Sequence, residues 1–352
     1  LNSPTSTTDS RLVDVISGSQ RYIKSCQQDN GAILWFDNGK LDPWGHTEAA
    51  MGLSICGDTT SAKKAYEWLW SSQNTDGSWF AKYYGDTSST DNDYQKIDTN
   101  FVAYPACGLW HFYLITGDIT FIEKSYPFIE KAIRYVISQQ TGEGDIQWAN
   151  SSSETLAKDA LITACSSILR SLECAINVAN LLGEKTDWEH AYKKLANALV
   201  HKPWRFDRSW ESKARFSMDW FYPVLAGAYS INEAQLRLDS RWQEFIHPQF
   251  GCRCVSDEPW VTVAESCELT LALIASKKES MARTIFERLL QWQDVDGGFW
   301  TGYSFRDDVI WPQEKTTWTA AAALLAADAL ENLTPAASLF TTPSHLLFPE
   351  YS

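Results

Sequence analysis

The sequence predicts an all-α fold: an (α/α)6 toroid of six inner and six outer helices, as a single domain over residues 1–352. Three observations predict it. Amphipathic and almost wholly apolar helical stretches alternate along the chain. The apolar stretches begin at intervals of roughly 45–60 residues, a spacing that marks a repeat architecture. Several amphipathic stretches end in the same device, a Gln, then a Gly turn, then a Trp. A helix apolar on every side must be enclosed, and a surrounding set of half-buried helices encloses it. Short connections make successive helices antiparallel, and the alternating pattern of strands is nearly absent outside the loops.

The elements follow in order. Leu12, Val15, Ile16, Tyr22 and Ile23 give an amphipathic helix over Asp9 to Gln27, ended at Gly31 with Trp35 beyond. An apolar helix starts after Pro43-Trp44-Gly45-His46-Thr47-Glu48, Pro being at home in a first helical turn. Ser61 to Gln73 is amphipathic and ends in Gln73-Asn74-Thr75-Asp76-Gly77-Ser78-Trp79. After a polar loop from Gly85 to Lys96, Asp98-Thr99-Asn100-Phe101 opens the second apolar helix. Asp118 to Gln140 is amphipathic, with a looser ending at Gln139 and Trp148 after it. Asp159 to Leu182 is apolar, Asp187 to His201 amphipathic. The segment from Asp219-Trp220 is apolar, and Glu233 to Ile246 amphipathic. An apolar helix carrying Glu265 and Cys267 follows, then Lys278 to Gln293, whose Gly297-Gly298-Phe299-Trp300 turn repeats the device. Trp311-Pro312-Gln313-Glu314-Lys315 leads into the last apolar helix, Thr319 to Leu330. Gln in these turns is placed to bond terminal carbonyls or the next helix's amides, Gly to take the left-handed cap, and Trp to pack back.

Composition narrows the function. A hydrophobic fraction of 44% provides a sizeable core. Seventeen Trp, 14 Tyr and 16 Phe supply flat apolar faces for a ligand as well as packing. A net charge of −14 excludes nucleic acid and anionic membranes, which need a basic patch. No apolar run approaches the roughly 20 residues of a membrane span. The eight Cys are scattered through apolar stretches, and the close pair Cys252/Cys254 lacks the partners of a zinc site. No metal or cofactor is expected, and a reducing, cytoplasmic location is the simplest reading. The N-terminal Leu leaves a trimmed leader open; no signal peptide is visible.

Two families resemble this chain. The Gln-turn repeats, with AYEWLWSSQNTDGSW as the best copy, resemble the toroid of squalene–hopene-type cyclases and prenyltransferase-like proteins. That resemblance implies an isoprenoid substrate. The cyclases' DxDD acid has only Asp91-Asn92-Asp93-Tyr94 as its nearest text, and the DDxxD diphosphate motif is missing. The stretch from Asp98 through LWHFYLITGDITFIEKSYPFIEKAIRYV is similar to (α/α)6 glycosidases of the glucoamylase and glycogen-debranching type. So are Gly144-Asp145-Ile146-Gln147-Trp148 and Trp311-Pro312-Gln313-Glu314. This resemblance implies a hydrolase working with two carboxyls. Ala149-Asn150 stand where glucoamylases carry acids, so their general acid has no counterpart there.

The antiparallel alternation sends all inner-helix N-termini to one mouth. Its carboxylic acids Glu48, Asp98, Asp219, Glu265 and Glu314 are the catalytic candidates. Asp159 and Asp98 are equally expected as caps, since a helix N-terminus favours a carboxylate. Glu48, Asp219 and Glu265 lie a turn inside apolar helices, where an ionised acid needs a partner or a cavity. By ring order Glu48 would face Asp219, Asp98 would face Glu265, and Asp159 would face Glu314. Trp44, His46, Asn100, Tyr104, Trp220, Trp260, Tyr303, Trp311, Lys315 and Trp318 are the substrate-binding candidates. Asp86 to Asp93 reads as a solvated charge run or a lid. The leading expectation is a carbohydrate-active enzyme, a glycoside hydrolase taking a glycan or other small-molecule substrate. An isoprenoid cyclase or transferase and a non-catalytic glycan- or lipid-binding toroid are the alternatives.

Overall fold

The computed structural model describes residues 7–84, 96–150 and 158–351. The Asp86–Asp93 run and the Asp91-Asn92-Asp93-Tyr94 stretch lie outside the described residues. Among the described residues the outer helices are α1 (Thr7–Ser25), α3 (Thr59–Ser72), α6 (Ile119–Ser138), α8 (Trp188–His201), α10 (Ile231–Ser240) and α13 (Glu279–Leu289). The inner helices are α2 (Pro43–Ile55), α4 and α5 (Thr99–Ala103, Pro105–Thr116), α7 (Ile162–Leu182), α9 (Ser217–Leu225), α12 (Val263–Ala275) and α14 (Thr317–Glu331). A short α11 (Trp242–Phe245) follows α10. Pro105 parts α4 from α5 at Tyr104. Each inner helix packs on the next, and α14 packs against α2, closing the ring. The all-α toroid predicted from the helix alternation is therefore present. No helix among the described residues is long and apolar enough to cross a membrane.

Small residues set the spacing at the closure. Ala320, Ala321, Ala323, Ala326 and Ala327 of α14 are fully buried, and a Cβ on Gly52 of α2 would stand 3.3 Å from the Ala321 Cα. Helices meeting through Ala and Gly approach closely without leaving voids.

Four Gln-turns hold the outer layer. The Gln27 amide donates to the Gly31 carbonyl in its own turn and to Ser61 of α3. Gln73 donates to Gly77 and to Phe128 of α6, and Gln140 to Gly144 and to Ala191 of α8. Gln293 donates to Gly297 and back to Val15 of α1, where chain end meets chain start. The looser copy thus uses Gln140, not Gln139, because only Gln140 is in register to reach the next outer helix. The partners across the gap are carbonyls rather than amides. The glycines have positive φ, near 92° at Gly77 and 95° at Gly297. A Cβ there would lie 2.5 Å from the Lys131 carbonyl oxygen and 2.1 Å from that of Gly18. The position six after each Gln is fully buried: Ile33, Trp79, Ile146 and Phe299. Trp is therefore one of several plugs, and Trp35 and Trp148, two residues further on, are left to reach the mouth.

Short strands edge the mouth. β1 (Lys40–Leu41) pairs with β2 (Tyr83–Tyr84), β3 (Ile97–Asp98) with β4 (Ala149–Asn150), and β5 (Ile246–His247) with β6 (Gly251–Cys252). The largest sheet is β7 (Trp260–Thr262), β8 (Gly302–Ser304) and β9 (Val309–Ile310), all antiparallel. Two or three residues are too few to show an alternating pattern, so these strands left no signal in the sequence.

Gln73→Ala removes two bonds to carbonyls and should lower stability by about 2 kcal/mol. Gly77→Ala, which adds a clash and a strained φ, should cost at least as much. Urea midpoints at constant m-value test both; a neutral Gly77→Ala would contradict the close approach.

Candidate active site

Side chains cap three of the inner helices, Asp42 on α2, Asp98 on α4 and Thr316 on α14. Asp42 caps α2: Oδ1 accepts from the Gly45 amide at 2.7 Å and Oδ2 from the Trp35 indole at 2.7 Å. Helical spacing then puts Trp44 and Glu48, four residues apart, on one face. Trp44 stacks on Tyr104 with centroids 5.0 Å apart and meets Trp318 edge-on, while Trp318 also meets Trp35. The indole nitrogens of Trp44 and Trp318 are buried without hydrogen-bond partners. The result is an aromatic wall carrying two unused donors.

Three carboxyls converge behind this wall. Glu48 is 1% exposed and its Oε2 has no partner. Burial, and then the charge of Asp42, push its carboxyl well above the usual range. Glu268, 5% exposed on α12, is pushed up by burial and then by Glu48 and Glu265. Glu265, one turn earlier and half-buried, accepts from the Cys254 thiol at 3.4 Å. The phenols of Tyr104 and Tyr222 belong to the same group: burial raises both, with Glu48 and Glu268 adding to it. Side chains from α2, α9, α12 and the α4–α5 junction thus share one enclosed space. A group of acids without cations favours sharing protons, because two ionised carboxylates at low dielectric repel.

Two further acids line neighbouring parts of the lumen. Asp98 caps α4 through the Asn100 and Phe101 amides and accepts from the Trp148 indole at 2.8 Å. Burial, against the Trp148 bond, raises it to about 6. Beside it, the Asn100 Oδ1 is buried without a partner. Asp219 of α9 accepts from the Thr163 hydroxyl at 2.8 Å, and its second oxygen is unpartnered. Burial outweighs that bond and raises it to about 6.

The structure separates other candidates from this group. His46 faces outward: Nδ1 accepts from the Ile33 amide at 3.0 Å and Nε2 donates to the Ala65 carbonyl at 2.8 Å. Burial lowers its pKa to about 4, so it is a neutral structural bridge. Trp220 is a core residue stacked on Phe245, with its indole bonded to the Arg237 carbonyl. Lys315 pairs with Asp294 and Asp296 of the last Gln-turn, an outer-layer contact. Glu314 lies near Tyr22 of α1, whose phenol its charge helps to raise. Asp159 is enclosed by Arg208, Ser209 and the Ala160 amide, so the Asp159–Glu314 pairing does not form. The charges that act on Asp219 are Asp207 and Arg237, and those on Glu48 and Glu268 come from one another, Asp42 and Glu265. The carboxyls that act on one another here are thus those of α2 and α12 rather than Glu48 and Asp219. Trp260, Tyr303 and Trp311 belong to the β7–β8–β9 sheet and its edge; Tyr303 stacks on Trp292 and donates to Asp308.

Asp42, Glu268 and Tyr222 were absent from the sequence candidates. Glu268 follows Glu265, and Tyr222 follows Asp219, by three residues, so one helical face was the available signal. Asp42, directly before Pro43, reads only as a cap.

A helical toroid gathering carboxyls in an aromatic-walled lumen is the frame of a glycoside hydrolase, and the chain is an enzyme of that class. The sequence is 42% identical over 319 residues, 90% of this chain and 86% of the relative, to the MMP endo-(1,4)-3-O-methyl-alpha-D-mannosidase of Mycolicibacterium hassiacum. The chain belongs to the family of that mannosidase. No protein-family model matches it. Among solved structures it resembles a glycosidase variant in complex with glucose: TM-score 0.69, 12% identity, 94% of this chain and 100% of that one. It also resembles a D-mannose isomerase, with TM-score 0.69, 14% identity and coverage of 94% and 99%. At such identities these likenesses show the fold alone. The Gln-turns behind the cyclase and prenyltransferase resemblance are ring staples, features of architecture rather than of chemistry.

Asp219 gives a stability test. Its pKa stands near 3.8 when unfolded and about 6 in the fold. A raised carboxyl binds more protons folded than unfolded, so its contribution is present below pH 3.8 and lost as pH rises through 6. Asp219→Asn keeps an acceptor for Thr163 and should be more stable than wild type at pH 7 by about 2 kcal/mol. The gap should close between pH 6 and 4. His46 titrates over an overlapping window with the opposite sign, so the readout is the difference between the two proteins' urea midpoints.

Proposed function

We propose that the chain is an endo-acting hydrolase of α-1,4-linked 3-O-methylmannose chains, working as one catalytic toroid over residues 1–352. The meeting of Glu48 from α2 with Glu268 from α12 in a buried, aromatic-walled lumen carries this reading. The likeness to the mannosidase family supports the substrate. Sugars present apolar C–H faces to aromatics and hydroxyls to acids, and O-methylation enlarges the apolar share. Trp44, Tyr104 and Trp318 suit the faces; Asn100, Asp98 and Asp219 suit the hydroxyls.

Glu268, with two neighbouring acids opposing its ionisation, is the proton donor. It protonates the glycosidic oxygen as the C1–O bond breaks. Glu48, two helices round the ring from α12, is the member of the coupled group that has given up its proton in the working state, and it takes the proton of the water that attacks C1. Burial keeps the acid's proton out of bulk water, and the Tyr104 and Tyr222 hydroxyls remain protonated donors beside the pair. Glu265, held by Cys254, supplies the charge that keeps Glu268 protonated.

Glu268→Gln and Glu48→Gln should each lower turnover of a 3-O-methylmannose oligosaccharide by about 10³-fold or more, with unchanged circular dichroism. An activated aryl leaving group should restore much of the Glu268→Gln activity and none of that of Glu48→Gln. Azide should rescue only Glu48→Gln. Retained activity in either variant refutes the assignment. Turnover of prenyl diphosphates with none of any glycan would overturn the function itself.

A further inference from the structure

The β7–β8–β9 sheet carries an apolar surface that the chemistry above does not use. Val309 on β9 is 47% exposed and Trp311, in the bend just past the end of β9, is 56% exposed, two large apolar side chains side by side in solvent. Trp260 meets Trp311 edge-on with centroids 5.1 Å apart, and its indole donates to the Trp311 carbonyl at 2.7 Å. These side chains, with Val255, Pro259 and Ser304, line a pocket of about 570 Å³. The size suits a pyranose unit or two rather than a folded partner.

The charges around the pocket identify the kind of ligand. Arg215 is held by both carboxylate oxygens of Asp257, at 2.8 and 2.9 Å. Arg306 is held by Asp307, which also accepts from Ser304. Both cations are neutralised by their own neighbours, and Glu258, which also lines the pocket, leaves one acid in excess, so the pocket repels phosphate or carboxylate and offers a carboxylate to a hydroxyl. A flat indole, aliphatic edges, two closed ion pairs and one further acid match a neutral ligand with an apolar face and hydroxyl edges that donate to Glu258. O-methyl groups add to the face that Val309 and Pro259 can cover.

The place of the pocket links it to the lumen. β7 runs without interruption into α12, so Trp260 lies five residues before Glu265 and eight before Glu268. Two strand steps, the junction and two helical steps separate Trp260 from Glu265, roughly 10–13 Å between Cα atoms. That is the reach of a few sugar units leaving the mouth.

We propose that this sheet is an outer subsite, with Trp311 as its stacking platform, which holds the polymer a few units from the bond cleaved and makes the enzyme prefer long chains. The proposal rests on the glycan-chain reading given above. Three expectations follow from it. The wild-type kcat/KM rises with length along a ladder of α-1,4-linked 3-O-methylmannose oligosaccharides. In Trp311→Ala the ratio of long-chain to short-chain kcat/KM falls about tenfold, chiefly through the long-chain KM. Trp311→Phe, which keeps a flat ring, regains most of the ratio.

The test pairs this kinetic series with calorimetric binding of the same ladder to Glu268→Gln, with and without Trp311→Ala. An about tenfold loss of long-chain affinity on adding Trp311→Ala supports the subsite. Should wild type cleave the ladder while Trp311→Ala alters neither the ratio nor the affinity, the subsite is overturned and the substrate reading stands. Should wild type cleave no member of the ladder, the substrate reading falls. The binding arm then still decides, since long chains bound without dependence on Trp311, or not bound, overturn the subsite as well.

Discussion

The ring depends on one contact, repeated four times: a Gln amide tying its own Gly turn to a carbonyl of the next outer helix. The approach is so close that only a residue without a side chain fits; a Cβ on Gly31 or Gly297 would stand 2.1 Å from a backbone oxygen. Once the outer helices are set at that distance, the inner ones have little choice. They meet through Ala and Gly, their N-termini gather at one mouth, and the Gln293 copy joins chain end to chain start. The staples lie in the outer layer and touch no lumen carboxyl; they join α1, α3, α6, α8 and α13, and the rest of the ring closes through helix packing.

The lumen reverses the pairing habits of the exterior. Outside, acids meet cations: Lys315 with Asp294 and Asp296, Arg205 with Asp145, Arg208 with Asp159. Inside, Glu48, Glu265 and Glu268 share a space with phenols and indoles, and no cation acts on Glu48 or Glu268 among the groups that shift them. Burying acids this way is unfavourable, since desolvation opposes ionisation and each neighbour opposes it further. A protonated carboxyl close to an acceptor carboxyl is also what transfer of a proton to a leaving oxygen requires. In the proposed mechanism the cost falls where the chemistry would use it, and the close-packed Ala-rich seam and the staples offset it elsewhere.

The fold was legible because it rests on periodicity and turn chemistry. The helix alternation, the Gly turns and the Pro at the start of α2 are local signals, and each matches an observed element. The lumen was legible only in part, for a physical reason. A helix apolar on all sides has no polar stripe to show which face turns inward. On α2, His46 and Glu48 were equally plausible as lumen groups; the first bridges backbone outside the ring and the second faces the centre. On α12 the same uncertainty selected Glu265 and passed over Glu268. Trp220 and Lys315 sat at the right height in the ring and at the wrong azimuth. The pairing between α2 and α12 depends on inward angles that no single helix encodes.

Under the proposed function, rim and lumen would divide the handling of a glycan on electrostatic grounds. At the rim, Arg215 and Arg306 are cancelled by Asp257 and Asp307, leaving an apolar face with one acid, Glu258, that could hold one sugar unit much like the next. A polymer can therefore shift there without breaking an ion pair. In the lumen, the indole donors of Trp44 and Trp318 and the oxygens of Glu48, Asn100 and Asp219 lack partners. Buried groups in that state gain most from a ligand that supplies the missing bonds. A sugar that fills them is held in one register, and that register brings its glycosidic oxygen to the carboxyls. Loose hold outside and strict registration inside would suit the proposed cutting within a chain rather than trimming of its end.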